Sequence, residues 1–151
     1  MKGRITLSKV LVLSVVLLSL MSWGTTVNAA AARSWVADSG MVTLGPNQIF
    51  RVTVANTSSQ RSLTVTFTAQ FTSVTCVGGV CTHTVASQTT TSPVTLAPGQ
   101  AASHDIIPPP SAAALRAIVV ANSLDMHVNG LIIDATTGDV RGNGLFRYYG
   151  D

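Results

Sequence analysis

The chain has 151 residues, is 46% hydrophobic and only 10% charged, and carries a formal net charge of +3. That charge is local: Lys2, Arg4 and Lys9 open the chain, whereas residues 32–151 hold six arginines against six aspartates, with no lysine or glutamate. A balanced remainder excludes the basic face that nucleic acid requires, and equally an electrostatic pull toward anionic lipid.

The first element in chain order is an export signal over residues 1–31. Lys2, Arg4 and Lys9 supply a basic start. Val10 to Met21 is an apolar core expected to be helical, and Val27-Asn28-Ala29 and Ala29-Ala30-Ala31 fit the small-x-small pattern of a cleavage site. The apolar run falls short of the roughly 20 residues that span a bilayer, so no membrane association is expected after cleavage. The expected location is secreted or periplasmic. Residues 32–151 remain as a single domain, of a size that buries one core.

Within this domain, Thr and Val replace the helix formers Lys and Glu, a composition suited to half-buried strands. Val42 to Gln48 reads as strand, turn, strand: Pro46 presets φ and Asn47 takes the left-handed second position of a type II turn. The phrase returns at Val94 to Gln100, with Pro98 and Gly99 in the same places. Ile49 to Asn56 alternates, with Phe50, Val52 and Val54 on one face. Leu63 to Phe71 alternates again, with Leu63, Val65, Phe67, Ala69 and Phe71 inward. Period-two patterning gives one buried face and one wet face. The short polar loop Asn56 to Ser62 predicts that these two strands form a central hairpin.

Thr72 to Val85 carries the sharpest signal. Gly78-Gly79 between β-branched runs is a two-residue hairpin turn. It sets Cys76 opposite Cys81 on a non-hydrogen-bonded pair, with Cα atoms about 4.5–5.5 Å apart. In an exported chain these two cysteines are expected to form a disulfide that pins one hairpin. Ala86 to Pro93 reads as a loop. Ala101 to Ile107 is a short strand stopped by Pro108-Pro109-Pro110, and Ser111 to Ala114 has room for one helical turn. Leu115 to Asn122 and Met126 to Ala135 are strands, with Asn129-Gly130 marking a bulge or bend. Asp134 to Asp139 is a turn whose Asp134 accepts backbone N–H groups, and Val140 to Tyr149 is a last strand.

Seven to nine short strands without helical periodicity predict an all-β, two-layer antiparallel β-sandwich. The phrases VTLGPNQIFRVTVAN (42–56) and VTLAPGQ (94–100), with the Asp-x-x-Thr-Gly turn at 134–138, resemble small secreted bacterial proteins built on an immunoglobulin-like sandwich. The resemblance implies an immunoglobulin-like arrangement and a part used in adhesion, binding or scaffolding; it implies no catalytic residues. The chain departs from antibody-type domains, since its cysteines are five apart and Trp35 precedes both.

The residues that could carry chemistry are few. Ser103-His104-Asp105 cannot form a triad on a strand, because consecutive residues face opposite ways. No Gly-x-Ser-x-Gly elbow occurs, and no catalytic residue or cofactor is expected. Asp125 and His127, two apart, offer two metal ligands on one strand face, with His104 as a third candidate; a zinc or copper site needs three or four. Asp134, Asp139 and Asn143 lack the spacing of a calcium loop. Thr64, Thr66 and Thr68, beside Arg51 and Thr53, predict a flat, nearly uncharged face for a protein or glycan partner. Tyr148 and Tyr149 are candidate stacking groups, one of them exposed. Without lysine to guard its edges, a free strand can pair with a neighbour. The expected function is non-enzymatic binding, adhesion or assembly at the cell envelope or outside the cell, the alternative being a small periplasmic metal or ligand carrier.

Overall fold

A computed structural model describes residues 33–150. The expected export signal lies outside the described residues. The described chain is all β, in ten strands: β1 Trp35–Val42, β2 Gln48–Asn56, β3 Leu63–Val77, β4 Val80–Thr90, β5 Val94–Leu96, β6 Ala101–Ile106, β7 Ala114–Ala121, β8 Met126–Asp134, β9 Val140–Gly144 and β10 Arg147–Gly150. They form two antiparallel sheets. The six-stranded sheet runs β10-β1-β7-β3-β4, with β5 also pairing β3; the four-stranded sheet runs β6-β2-β8-β9.

The two sheets share one core. Phe50, Val52, Val54 and Val128 come from the smaller sheet; Leu63, Val65, Phe67, Phe71, Leu115 and Val119 come from the larger. These are the inward rows expected from the alternation of Ile49–Asn56 and Leu63–Phe71. Burying a side chain of this kind contributes about 1.5–3 kcal/mol, which is what drives each alternating strand to turn its apolar row inward.

The expected central hairpin is not formed. β2 and β3 lie in different sheets: β2 pairs β6 and β8, while β3 pairs β4, β5 and β7. The polar loop 57–62 carries the chain across the core, and buried Asn56 anchors it. The Asn56 Nδ2 donates to the carbonyls of Arg61 (2.8 Å) and Leu96 (3.0 Å), and its Oδ1 accepts from Ser58 N–H (3.0 Å). Its backbone N–H donates to Gln100 O at 2.8 Å, and its carbonyl accepts from Gly99 N–H at 3.1 Å. One side chain thus ties the end of β2 to β5 in the other sheet. Alternation reports which face is buried; it does not report which strand lies alongside.

Other boundaries differ from expectation for local reasons. β1 extends back to Trp35, well before the Val42 phrase that signalled a strand. Ala86 to Thr90 belongs to β4, since Ser87, Gln88, Thr89 and Thr90 pair with Phe71, Gln70, Ala69 and Thr68. The last strand is two strands in different sheets, β9 pairing β8 and β10 pairing β1, with Leu145-Phe146 passing between the sheets. Ser111 to Ala114 is no helical turn; Ala112 N–H closes a β-turn onto Pro109 O at 2.9 Å.

Gly130 is not a bulge. It sits in regular β8, paired with Val52 and Gly144, and the register shift falls between Ile132 and Ile133. The glycines answer a space requirement. A Cβ on Gly130 or on Gly144 would stand 2.5 Å from Phe50 Cζ. The Phe50 ring fills that space and stacks with Phe146 at a centroid distance of 6.4 Å.

Both expected type II turns form. Asn47 has φ of 59° and Gly99 of 74°, and Gln48 and Gln100 N–H donate back to Gly45 O (3.3 Å) and Ala97 O (3.0 Å). A shared feature was not foreseen: each closing glutamine folds its Oε1 back onto the first N–H of its turn, at 2.7 Å for Gly45 and 2.8 Å for Ala97.

Candidate functional site

The inward row of β3 explains where the body of the domain stops. Leu63, Val65, Phe67, Ala69 and Phe71 are buried, and the next residues of the same row are Ser73 and Thr75. Apolar side chains hold a strand against the opposite sheet; Ser and Thr do not. From Ser73 onward the β3–β4 pair therefore runs as an arm, and every residue from Ser73 to Thr90 is exposed.

The Gly78-Gly79 turn has φ of 58° and 82°, and the register is the expected one, with Val77 opposite Val80 and Cys76 opposite Cys81. The cysteines are bonded, with Cα atoms 4.0 Å apart. This is shorter than the roughly 4.5–5.5 Å expected. One face of the arm is apolar: Val74, the Cys76–Cys81 bridge and Val85, with His83 opposite Val74. The other face presents Ser73, Thr75, Thr82 and Thr84, and Val77 and Val80 are among the most exposed apolar residues of the domain at 76% and 68%. β4 itself, VCTHTVASQTT, contains no Lys, Arg, Asp, Glu, Pro or Gly, and among the described residues its outer edge has no strand beside it.

The expected binding residues do not share one face. Thr64, Thr66 and Thr68 lie on the outer side of β3 in the larger sheet; Arg51 lies on β2 in the smaller. The threonines pair across strands, Thr64 with Thr95 at 3.5 Å and Thr68 with Thr90 at 3.1 Å. Arg51 is held bidentately by Asp105 of β6 at 2.6 and 2.7 Å. That hydrogen-bonded pair lowers the pKa of the Asp105 carboxyl and raises that of the arginine. The misplacement follows from the hairpin that does not form.

Tyr148 and Tyr149 are both partly exposed, at 42% and 52%. The Tyr148 hydroxyl accepts the N–H of Val128 at 2.9 Å. β9 pairs β8 only from Gly130 to Ile133, so Val128 lies beyond the end of β9 and the phenol takes the place of a ladder partner. Tyr149 lines a groove of about 510 Å³ with Asp38, Met41, Arg116, Leu145 and Arg147. Here the β1 bulge at Ser39-Gly40 turns the Asp38 carboxylate onto the Arg116 guanidinium in a bidentate pair. The arginine holds the Asp38 carboxyl below its usual range against the opposing effect of burial.

Asp125 and His127 are not neighbours on a strand face. β8 begins at Met126, and Asp125 sits in the preceding bend, where its carboxylate accepts from Ser123 Oγ at 3.1 Å. His127 is exposed on β8. His104 lies 5.6 Å from the Phe67 ring, centroid to centroid. Ser103 and Asp105 point away from it, as alternation requires. Among the described residues no three His, Cys, Asp or Glu gather at metal-binding spacing. Asp134 caps its turn as expected, its Oδ1 accepting from Thr136 (2.9 Å) and Thr137 (3.2 Å), which lowers its pKa.

The Pro108-Pro109-Pro110 segment separates two open grooves. One, of about 660 Å³, is lined by Leu44, Pro46, Ile49 and Ala112; the other, of about 680 Å³, by Phe71, Ser87, Thr89 and His104. Ile107 stands 72% exposed between them.

Comparison with protein-family models, with curated proteins and with solved structures found no match to this chain. The functional reading therefore rests on the residues themselves.

Proposed function

We propose that this chain is an exported, non-enzymatic module of immunoglobulin-like type that works by binding or assembly at the cell envelope or outside the cell. The observation that carries this reading is the β3–β4 arm: a long, uncharged, disulfide-pinned hairpin exposed along its whole length. A folded domain gains nothing in stability from holding Val77, Val80 and Val85 in water, and exposed apolar groups gathered on one element mark contact surfaces. The disulfide agrees with life outside a reducing cytosol. The immunoglobulin-like assignment is supported by the two antiparallel sheets and by consecutive strands β1, β2 and β3 that alternate between them, as in Greek-key sandwiches.

Partners of such an element are recognised through backbone pairing and side-chain fit, so a protein partner agrees better with the arm than a glycan does. The test is crosslinking in the cell that makes the protein, followed by identification of what is attached. Crosslinks that map to residues 73–90 support the reading. Crosslinks confined to the opposite end of the domain, or turnover of an ester, peptide or glycoside by the purified protein, would refute it.

A further inference from the structure

Among the described residues each sheet ends in strands whose outer edge no further strand covers, and proteins guard such edges with short length, charge, proline or bulges. Four of the five edge strands here are guarded. β10 has four residues and carries Arg147. β5 has three residues and lies between Pro93 and Pro98. β6 runs beside the Arg51–Asp105 ion pair and ends at Pro108-Pro109-Pro110. β9 has five residues and a bulge at Arg141, whose side chain pairs with Asp134 at 3.2 Å. β4 has eleven residues and no charge, proline or glycine. Its one irregularity is the register shift opposite Phe71 and Thr72, which leaves Val80 to Val85 straight.

We propose that this edge is the contact surface for a second copy of the chain, joined antiparallel through β4 about a two-fold axis. The inference rests on the reading that the protein acts by binding, and it names the partner. Val77 and Val80 flank the two-residue turn and exchange both their hydrogen bonds. Alternation then aims the N–H and C=O groups of Cys81, His83 and Val85 away from β3. An axis at His83 sets Cys81 of one copy opposite Val85 of the other, and every outward group on this stretch finds a partner. Thr82 faces Thr84 of the second copy in both halves. No formally charged side chain on β4 opposes the approach of an identical strand. The Cys76–Cys81 bridge holds the arm in register beforehand, so less order is lost on pairing. Because both copies use the same β4 edge, the one unguarded edge among the described strands, the contact is isologous and closes at two copies.

A contact of this size belongs to the weak class, with a dimer Kd of about 10 µM. The experiment is sedimentation equilibrium on the protein purified from the cell that makes it, compared with two double variants, Thr82→Lys with Thr84→Lys and Thr82→Asp with Thr84→Asp. The expected result is a monomer–dimer equilibrium for the wild type and a dissociation constant raised at least tenfold for each variant alone. A mixture of the two variants should give a heterodimer, since lysine then faces aspartate across the axis. That rescue also shows that both variants are folded. A wild type that stays monomeric at about ten times that Kd overturns the pairing; so does a dimer that both variants retain. A monomeric wild type that is crosslinked through its arm to a different protein overturns the pairing and leaves the binding reading intact.

Discussion

Replacing Asn56 by alanine probes the joint between the two sheets. The residue is 2% exposed and makes three side-chain hydrogen bonds, two as donor and one as acceptor. In the alanine variant the buried Leu96 carbonyl loses its donor, at a cost of about 1–3 kcal/mol. The Arg61 carbonyl and Ser58 N–H lie nearer solvent and can turn to water, so each costs less, about 0.5–1 kcal/mol. The sum is about 3 kcal/mol. For a domain of this size, that lowers the melting temperature by about 12 °C. Thermal unfolding followed by far-ultraviolet circular dichroism measures it, with Asn122→Ala as a control. Asn122 Oδ1 accepts Thr64 N–H at 3.0 Å in an exposed position, so its loss should cost under about 1 kcal/mol. Asn56→Asp sharpens the test: a carboxylate facing two carbonyl oxygens is repelled, so its folded-state pKa rises. Its stability should then improve as pH falls through that raised value toward about 4. An Asn56→Ala variant that melts within 3 °C of the wild type, or an Asn56→Asp variant indifferent to pH over that window, would refute the assigned role.

Gly144→Ala should cost about 2–4 kcal/mol, because the new methyl meets the Phe50 ring; urea unfolding with an unchanged slope would read it. Asp38 has a lowered folded-state pKa, so its contribution is complete above its unfolded value near 3.9 and is lost as pH falls through the folded value. Asp38→Asn should therefore cost about 1–2 kcal/mol at pH 7, a figure reduced for the half-exposed Arg116 side chain, and its gap from the wild type should close below about pH 4. Tyr148→Phe leaves the Val128 N–H without its acceptor and should cost about 1 kcal/mol by the same unfolding assay. Reducing Cys76–Cys81 should leave the melting temperature within about 2 °C while speeding amide exchange across residues 73–85, because the bridge closes only a short loop outside the core.

Much of the fold was legible in the residues. The inward rows of β2 and β3, the two Pro-Asn/Pro-Gly turns and the Gly78-Gly79 hairpin with its disulfide all follow from local physics: side-chain period, permitted φ and turn length. Strand neighbours were not legible, because nothing in Asn56 to Ser62 distinguishes a hairpin loop from a crossing to the other sheet. That error put Arg51 beside Thr64, Thr66 and Thr68, when the two groups belong to different sheets. The arm was half visible: Ser73 and Thr75 in the core row of β3 mark the end of burial, but Ala86 to Thr90 reads as a loop through its run of polar residues. Asn56, Gln48 and Gln100 were missed because their work is done on backbone groups distant in sequence or folded back over a turn.

The pairing of β10 with β1 places Trp35 opposite Gly150, so the first and last strands of the domain lie side by side in one sheet. A contact across nearly the whole length of the domain is made late and slowly in folding. During folding β1 must therefore wait for β10, and a chain in which β10 has not yet docked exposes β1 along one side. Adjacent ends also make the domain a natural candidate for circular permutation: a short linker joining residues 150 and 33 should preserve the sheet.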